Sequence, residues 1–127
     1  MNRSLTAALL AVGLLAPTAY AEAPKKAAAA PAAMSFTVVN VEYEGSKIWT
    51  PGTLTVKKGT KVTLKLINNV PSEPAEHGFA IPAYNIAEVV KKGEPKTVEL
   101  VADKVGIFPI ICHLHPAHVG GELVVLP

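Results

Sequence analysis

A single cysteine in 127 residues excludes several sites at once. No internal disulfide can form, and no two-cysteine dinuclear copper centre, c-type haem motif or cysteine-rich zinc ribbon can be built within the chain. Methionine is almost as scarce: only Met1 and Met34 occur, so none follows the cysteine. Arginine occurs once, at Arg3, and without it eleven lysines face ten acids. That near-neutral balance argues against a nucleic-acid partner, which would want a basic surface. The sequence also has no Gly-rich phosphate loop, no internal repeat, no Met-rich or His-rich tract and no apolar run of spanning length.

What the chain does have is concentrated near its C-terminal end. Cys112 stands with three of the four histidines, His113, His115 and His118, in Ile111-Cys112-His113-Leu114-His115-Pro116-Ala117-His118-Val119-Gly120-Gly121. A lone cysteine is ordinarily a small buried hydrophobe. Here two residues separate Cys112 from His115, and two more separate His115 from His118. Pro116 and Gly120-Gly121 close the loop tightly enough to turn all three side chains towards one point. A thiolate with two imidazoles is the ligand set of mononuclear electron-transfer copper, completed by a weaker fourth ligand. One cysteine with three histidines also satisfies zinc. His113 is expected to face away, because adjacent residues of an extended chain point to opposite sides.

The remaining histidine, His77, lies thirty-five residues before Cys112. It follows the polar loop Asn69 to Glu76 and precedes Gly78, which permits close backbone approach to a site. His77 is therefore the expected fourth ligand, with Glu76 as a neighbouring carboxylate.

The N-terminus reads as a secretory signal peptide over residues 1–21. Arg3 is followed by an apolar core from Leu5 to Leu15 and by the small-x-small signal Ala19-Tyr20-Ala21. No lipobox cysteine is present, so an exported, periplasmic protein without a membrane span is expected. A free thiol in an oxidising compartment calls for burial, intermolecular pairing or metal ligation, and ligation fits best. Residues 22–33 are rich in Ala, Pro and Lys and read as a disordered linker. The folded domain is expected over residues 34–127.

Within that domain, short runs rich in β-branched residues alternate with turn signals. Strands are expected over 35–43, 53–56, 61–68, 78–81, 96–101, 105–111 and 121–126, with 47–52 as a loop. Ile86 to Val90 reads as a strand or a single helical turn. Regularly spaced short strands without a long helix predict an all-β, antiparallel Greek-key β-sandwich.

These residues resemble the cupredoxins. Pro51-Gly52-Thr53-Leu54-Thr55-Val56-Lys57-Lys58-Gly59-Thr60-Lys61-Val62-Thr63-Leu64 is similar to their entry strands, and Gly106 to Pro116 to their C-terminal ligand loop. Within the family the closest resemblance is to the nitrosocyanins, red copper proteins, through Gly78-Phe79-Ala80-Ile81, Glu88 to Glu94, Ala102-Asp103-Lys104 and Cys112-His113-Leu114-His115-Pro116. His77 stands where nitrosocyanin has a glutamate, which restores the upstream histidine of ordinary blue copper proteins. The Cys-x2-His-x2 spacing is instead similar to amicyanin, with His118 in the place of the axial methionine. Most cupredoxins carry Asn or Ser after the first histidine to tie the two loops together, so Gly78 implies a different lock.

The resemblance implies one copper per domain, held by His77, Cys112, His115 and His118. It implies a one-electron carrier whose redox partner docks near the ligand-loop end, where Pro82, Ala83, Pro116, Ala117 and Val119 supply apolar surface. Two other functions stay open. One is nitric oxide-type chemistry at copper, as in nitrosocyanin-like proteins; the other is copper handling in the cell envelope. No proton-transfer constellation is visible, and nothing sets the oligomeric state.

Overall fold

A computed structural model describes residues 29–127. The expected signal peptide and most of the linker lie outside them. Nine strands and one short helical turn follow in order: β1 Ala33–Tyr43, β2 Ser46–Thr50, β3 Thr53–Lys57, β4 Lys61–Asn68, β5 Glu76–Ile81, a 3₁₀ turn Pro82–Tyr84, β6 Ile86–Lys91, β7 Lys96–Val101, β8 Gly106–Ile110 and β9 Gly121–Leu126. They form one sheet of order β2-β1-β4-β7, a second of order β3-β9-β8, and the pair β5-β6.

Alternation dictates which faces meet. In β4, Val62, Leu64 and Leu66 are buried while Lys61 and Lys65 are exposed. In β3, Leu54 and Val56 point inward between Thr53, Thr55 and Lys57. This period of two lays one apolar face from each sheet against the other. The core joins Val38, Val62, Leu64, Leu66 and Leu100 to Leu54, Val56, Ile110, Leu123 and Val125, with Trp49 and Phe79 among them. Burying such side chains is the main favourable contribution to folding, about 1.5–3 kcal/mol each.

The sandwich is as expected, but the sheets are mixed rather than purely antiparallel. β1 pairs with β4 in parallel, and β3 pairs with β9 in parallel. The cause is the crossing between layers. After β1 and β2 the chain switches to β3 in the other sheet, then returns as β4 running the same way as β1. Parallel neighbours need such a crossover rather than a tight hairpin.

Two local readings also change. The stretch expected as a loop at Lys47 to Thr50 is strand β2, hydrogen-bonded to β1 from Val39↔Thr50 to Tyr43↔Ser46. Pro51-Gly52 ends this strand rather than dissolving it. Ile86 to Val90 is strand, and the single helical turn lies just before it, closed by Asn85 in the left-handed conformation at φ 54°.

Candidate metal centre

Three chain segments meet at one end of the sandwich. The first carries His77. Asn68, at the end of β4, organises the loop before it: the side-chain amide donates to the carbonyls of Ala75 (3.0 Å) and Val90 (3.1 Å), and its oxygen accepts from Val70 N–H (3.0 Å). β5 begins at Glu76, so His77 stands on a strand rather than in the preceding loop. His77 is fully buried.

The second segment runs from β8 into the ligand loop. Ala80 and Ile111 exchange two backbone hydrogen bonds of 2.9 and 3.0 Å, which sets β5 beside the start of this loop. One step further, Gly78 N–H donates to Cys112 Sγ at 3.2 Å. His115 N–H then donates to the Cys112 carbonyl (3.2 Å), and His118 N–H to the His115 carbonyl (3.0 Å). Two successive i→i+3 turns bring every third residue to the same side. The spacing Cys112, His115, His118 matches that period, which is why all three side chains converge.

The third segment is β2, which receives the end of the loop. Val119 N–H donates to the Lys47 carbonyl (3.0 Å), and Glu122 N–H to the Gly52 carbonyl (2.7 Å). The paired glycines make this possible. A Cβ at Gly120 would lie 2.0 Å from the Ile110 carbonyl oxygen, and one at Gly121 would lie 2.1 Å from that of Gly52.

The outcome is one cluster. One potential ligand atom from each of His77, Cys112, His115 and His118 lies within 4.8 Å of the other three. Cys112 Sγ is 3.6 Å from His115 Nδ1. The three imidazole centroids are separated by 5.5 Å (His77–His115), 5.0 Å (His77–His118) and 4.7 Å (His115–His118). Cys112 is buried, while His115 and His118 are half-buried at the rim.

These groups are poorly satisfied on their own. Both ring nitrogens of His77 and Nδ1 of His118 are buried without a hydrogen-bond partner. An unmet buried polar atom costs about 1–3 kcal/mol. A metal ion among soft sulfur and imidazole donors removes part of that cost, so the residues fit a copper ion.

Glu76 and His113 lie outside the cluster. Glu76 is exposed and its carboxylate pairs with Lys91 Nζ at 3.3 Å. His113 turns away from the cluster and packs against Gly78: a Cβ there would lie 2.6 Å from His113 Nδ1 and 2.9 Å from its backbone nitrogen. The different lock implied by Gly78 is therefore visible. Its N–H reaches the cysteine sulfur, and His113 occupies the volume a side chain would fill. Its carbonyl accepts from Trp49 Nε1–H at 2.9 Å, and Trp49 stacks edge-on against Phe79 at 5.2 Å. Trp49 is a site-supporting residue that sequence reading missed. The strand-favouring pair Ile48-Trp49 is the signal that could have found it, masked by the adjacent Pro51-Gly52.

Burial lowers the proton affinity of His77, and the neighbouring His118, His115 and Lys47 lower it further, with Glu42 opposing. His118 is lowered by burial first, then by His115 and Lys47. The consequence for the metal-free protein has a definite sign. Unfolded imidazoles take up protons as pH falls through about 6.5, while the folded ones resist until lower pH. The unfolded state then binds more protons, so stability falls on acidification and the loss levels off below the folded pKa values. The melting temperature of metal-free protein is expected to drop between pH 7.5 and 5, and to drop less in His77→Gln. An equally steep profile in that variant would contradict the assignment.

Fold and cluster together describe a β-sandwich copper protein in which one cysteine and three histidines are gathered where they could hold a single ion. Residues 6–125 match the family described as a cupredoxin-like domain, and the chain belongs to that family. Over 57 residues it is 47% identical to a nitrous-oxide reductase of Cupriavidus necator, a match covering 45% of this chain and 9% of that enzyme. The chain thus corresponds to a small part of that much longer relative. Among solved structures, a copper nitrite reductase from Nitrosomonas europaea superposes with TM-score 0.62 at 22% identity, over 75% of this chain and 42% of that one. Dithionite-reduced auracyanin from Roseiflexus castenholzii superposes with TM-score 0.60 at 17% identity, over 76% of this chain and 99% of that one. No helix among the described residues is long and apolar enough to cross a membrane.

Proposed function

We propose that this protein is a periplasmic one-electron carrier in which His77, Cys112, His115 and His118 coordinate a single copper ion. The observation that carries the reading is the convergence of four ligand atoms within 4.8 Å, on segments cross-linked by backbone hydrogen bonds. A site held this way changes little between oxidation states, which is what rapid electron exchange needs. Likeness to parts of copper redox enzymes and to auracyanin supports a redox role.

The rim of the site offers a docking surface. Leu114 is 39% exposed and Val119 50% exposed, with Pro116 and Ala117 exposed between them. A small apolar patch beside two half-buried imidazoles suits a weak, fast encounter with a redox partner protein.

His118 would be the third imidazole ligand in place of the thioether of ordinary blue copper proteins. A third imidazole would favour Cu(II) and lower the reduction potential. His118→Met is therefore expected to raise the potential and move the thiolate-to-copper absorption towards a blue-copper spectrum. Spectroelectrochemistry of the two proteins checks this. An unchanged spectrum and potential would place His118 off the metal. That result would favour the competing reading, small-molecule binding of the nitric oxide type at an open copper position.

A further inference from the structure

At the metal end, the inner face of the first sheet stops being apolar. Along β1 the inward row runs Val38, Asn40, Glu42, and along β2 it runs Trp49, Lys47, since side chains alternate. Register places Glu42 opposite Lys47. The Lys47 ammonium lies 3.6 Å from the Glu42 carboxylate, with side chains only 16% and 20% exposed.

This half-buried pair is tied to both ligand-bearing segments. The Ser72 hydroxyl, in the loop leading to His77, donates to Glu42 Oε2. The Lys47 carbonyl accepts from Val119 N–H, next to His118, at 3.0 Å. Trp49, on the same inward row, donates to the carbonyl of Gly78 at 2.9 Å. The β1–β2 hairpin is thus one wall of the site, with a fixed charge pair set in it. The Ser72 hydrogen bond, helped by Lys47 against the effect of burial, holds the Glu42 carboxyl below its usual range.

We propose that the Glu42–Lys47 pair tunes the reduction potential of the copper site, the Lys47 ammonium favouring Cu(I) and Glu42 moderating it. The inference rests on the four-ligand copper reading above. Uptake of one electron lowers the charge of the site by one unit, so a fixed cation nearby stabilises the reduced form more than the oxidised form. Neither partner is a ligand, and half-burial limits screening by salt.

The test is a redox titration of the copper-loaded full chain with a small-molecule reductant, for wild type, Lys47→Met, Lys47→Arg and Glu42→Gln. Lys47→Met is expected to shift the Cu(II)/Cu(I) equilibrium towards Cu(II) by roughly tenfold, a fall of about 59 mV for one electron. Glu42→Gln is expected to shift it the opposite way, and Lys47→Arg to stay near wild type. Cu(II) EPR parameters should be unchanged throughout, because no ligand is altered. Shifts of the same sign in the two neutralising variants would overturn the inference. So would changes below about twofold in both (roughly 18 mV on the same scale). If Lys47→Met does not fold, Glu42→Gln decides alone: its potential must rise. A wild-type protein without a thiolate-to-copper band would instead overturn the copper reading on which the inference rests.

Discussion

Cys112→Ser is expected to lower copper affinity by at least about a hundredfold. The substitution keeps nearly the same volume and leaves His77, His115 and His118 in place, so the loss isolates the thiolate. A ligand that binds only the folded state stabilises it in proportion to the logarithm of its affinity. A hundredfold weaker site therefore forfeits about 2.7 kcal/mol of copper-dependent stability. Thermal melts with and without one equivalent of copper measure this directly. Wild type should show a large copper-induced rise in melting temperature, and Cys112→Ser a much smaller one. The metal-free forms should differ less, because a serine hydroxyl can still accept from Gly78 N–H and meet His115 Nδ1, the two polar contacts of Cys112 Sγ. An equal copper-induced rise in both proteins would remove Cys112 from the site.

Gly78→Ala is expected to disturb the site from a position that carries no ligand. The added methyl would sit 2.6 Å from His113 Nδ1 and 2.9 Å from the His113 backbone nitrogen. The ring can rotate away, but the backbone contact can be relieved only if β5 and the ligand loop separate. That movement lengthens the Gly78 N–H to Cys112 Sγ bond. Overpacking of this kind costs about 1–3 kcal/mol, so a lower melting temperature is expected even without metal. In the copper-loaded form the thiolate-to-copper band should shift or weaken. Adding His113→Ala should recover part of the stability but not the spectrum, since the backbone nitrogen remains. Full recovery of the spectrum in the double variant would show that the ring alone, rather than the spacing of the two segments, sets the geometry.

Much of this was legible in the sequence, for identifiable reasons. Strands such as Lys61–Asn68 alternate so regularly that their inward face could be read directly. The ligand loop was legible because soft sulfur, imidazole spacing and the Gly120-Gly121 pair all point to one tight turn. His77 was harder, being far away in sequence, and only the polar loop and Gly78 flagged it. β2 was missed because Thr50-Pro51-Gly52 carries a strong turn signal that overrides the short strand-favouring pair Ile48-Trp49. With β2 went Trp49 and Lys47, whose importance depends on the register with β1 and on where the ligand loop ends. Parallel pairing of β1 with β4 and β3 with β9 was likewise invisible, since no local pattern records which sheet a strand joins after a crossover. Contacts between distant segments, such as His113 over Gly78, belong to the same class.

The most direct test of the central claim is the optical and EPR spectrum of the wild-type protein loaded with one equivalent of Cu(II). Ligation by the Cys112 thiolate predicts an intense thiolate-to-copper charge-transfer band and one mononuclear Cu(II) signal, both saturating at one copper per chain and both lost reversibly on one-electron reduction. A Cu(II) signal without that band, or binding that does not saturate at one equivalent, would contradict a copper centre built on His77, Cys112, His115 and His118.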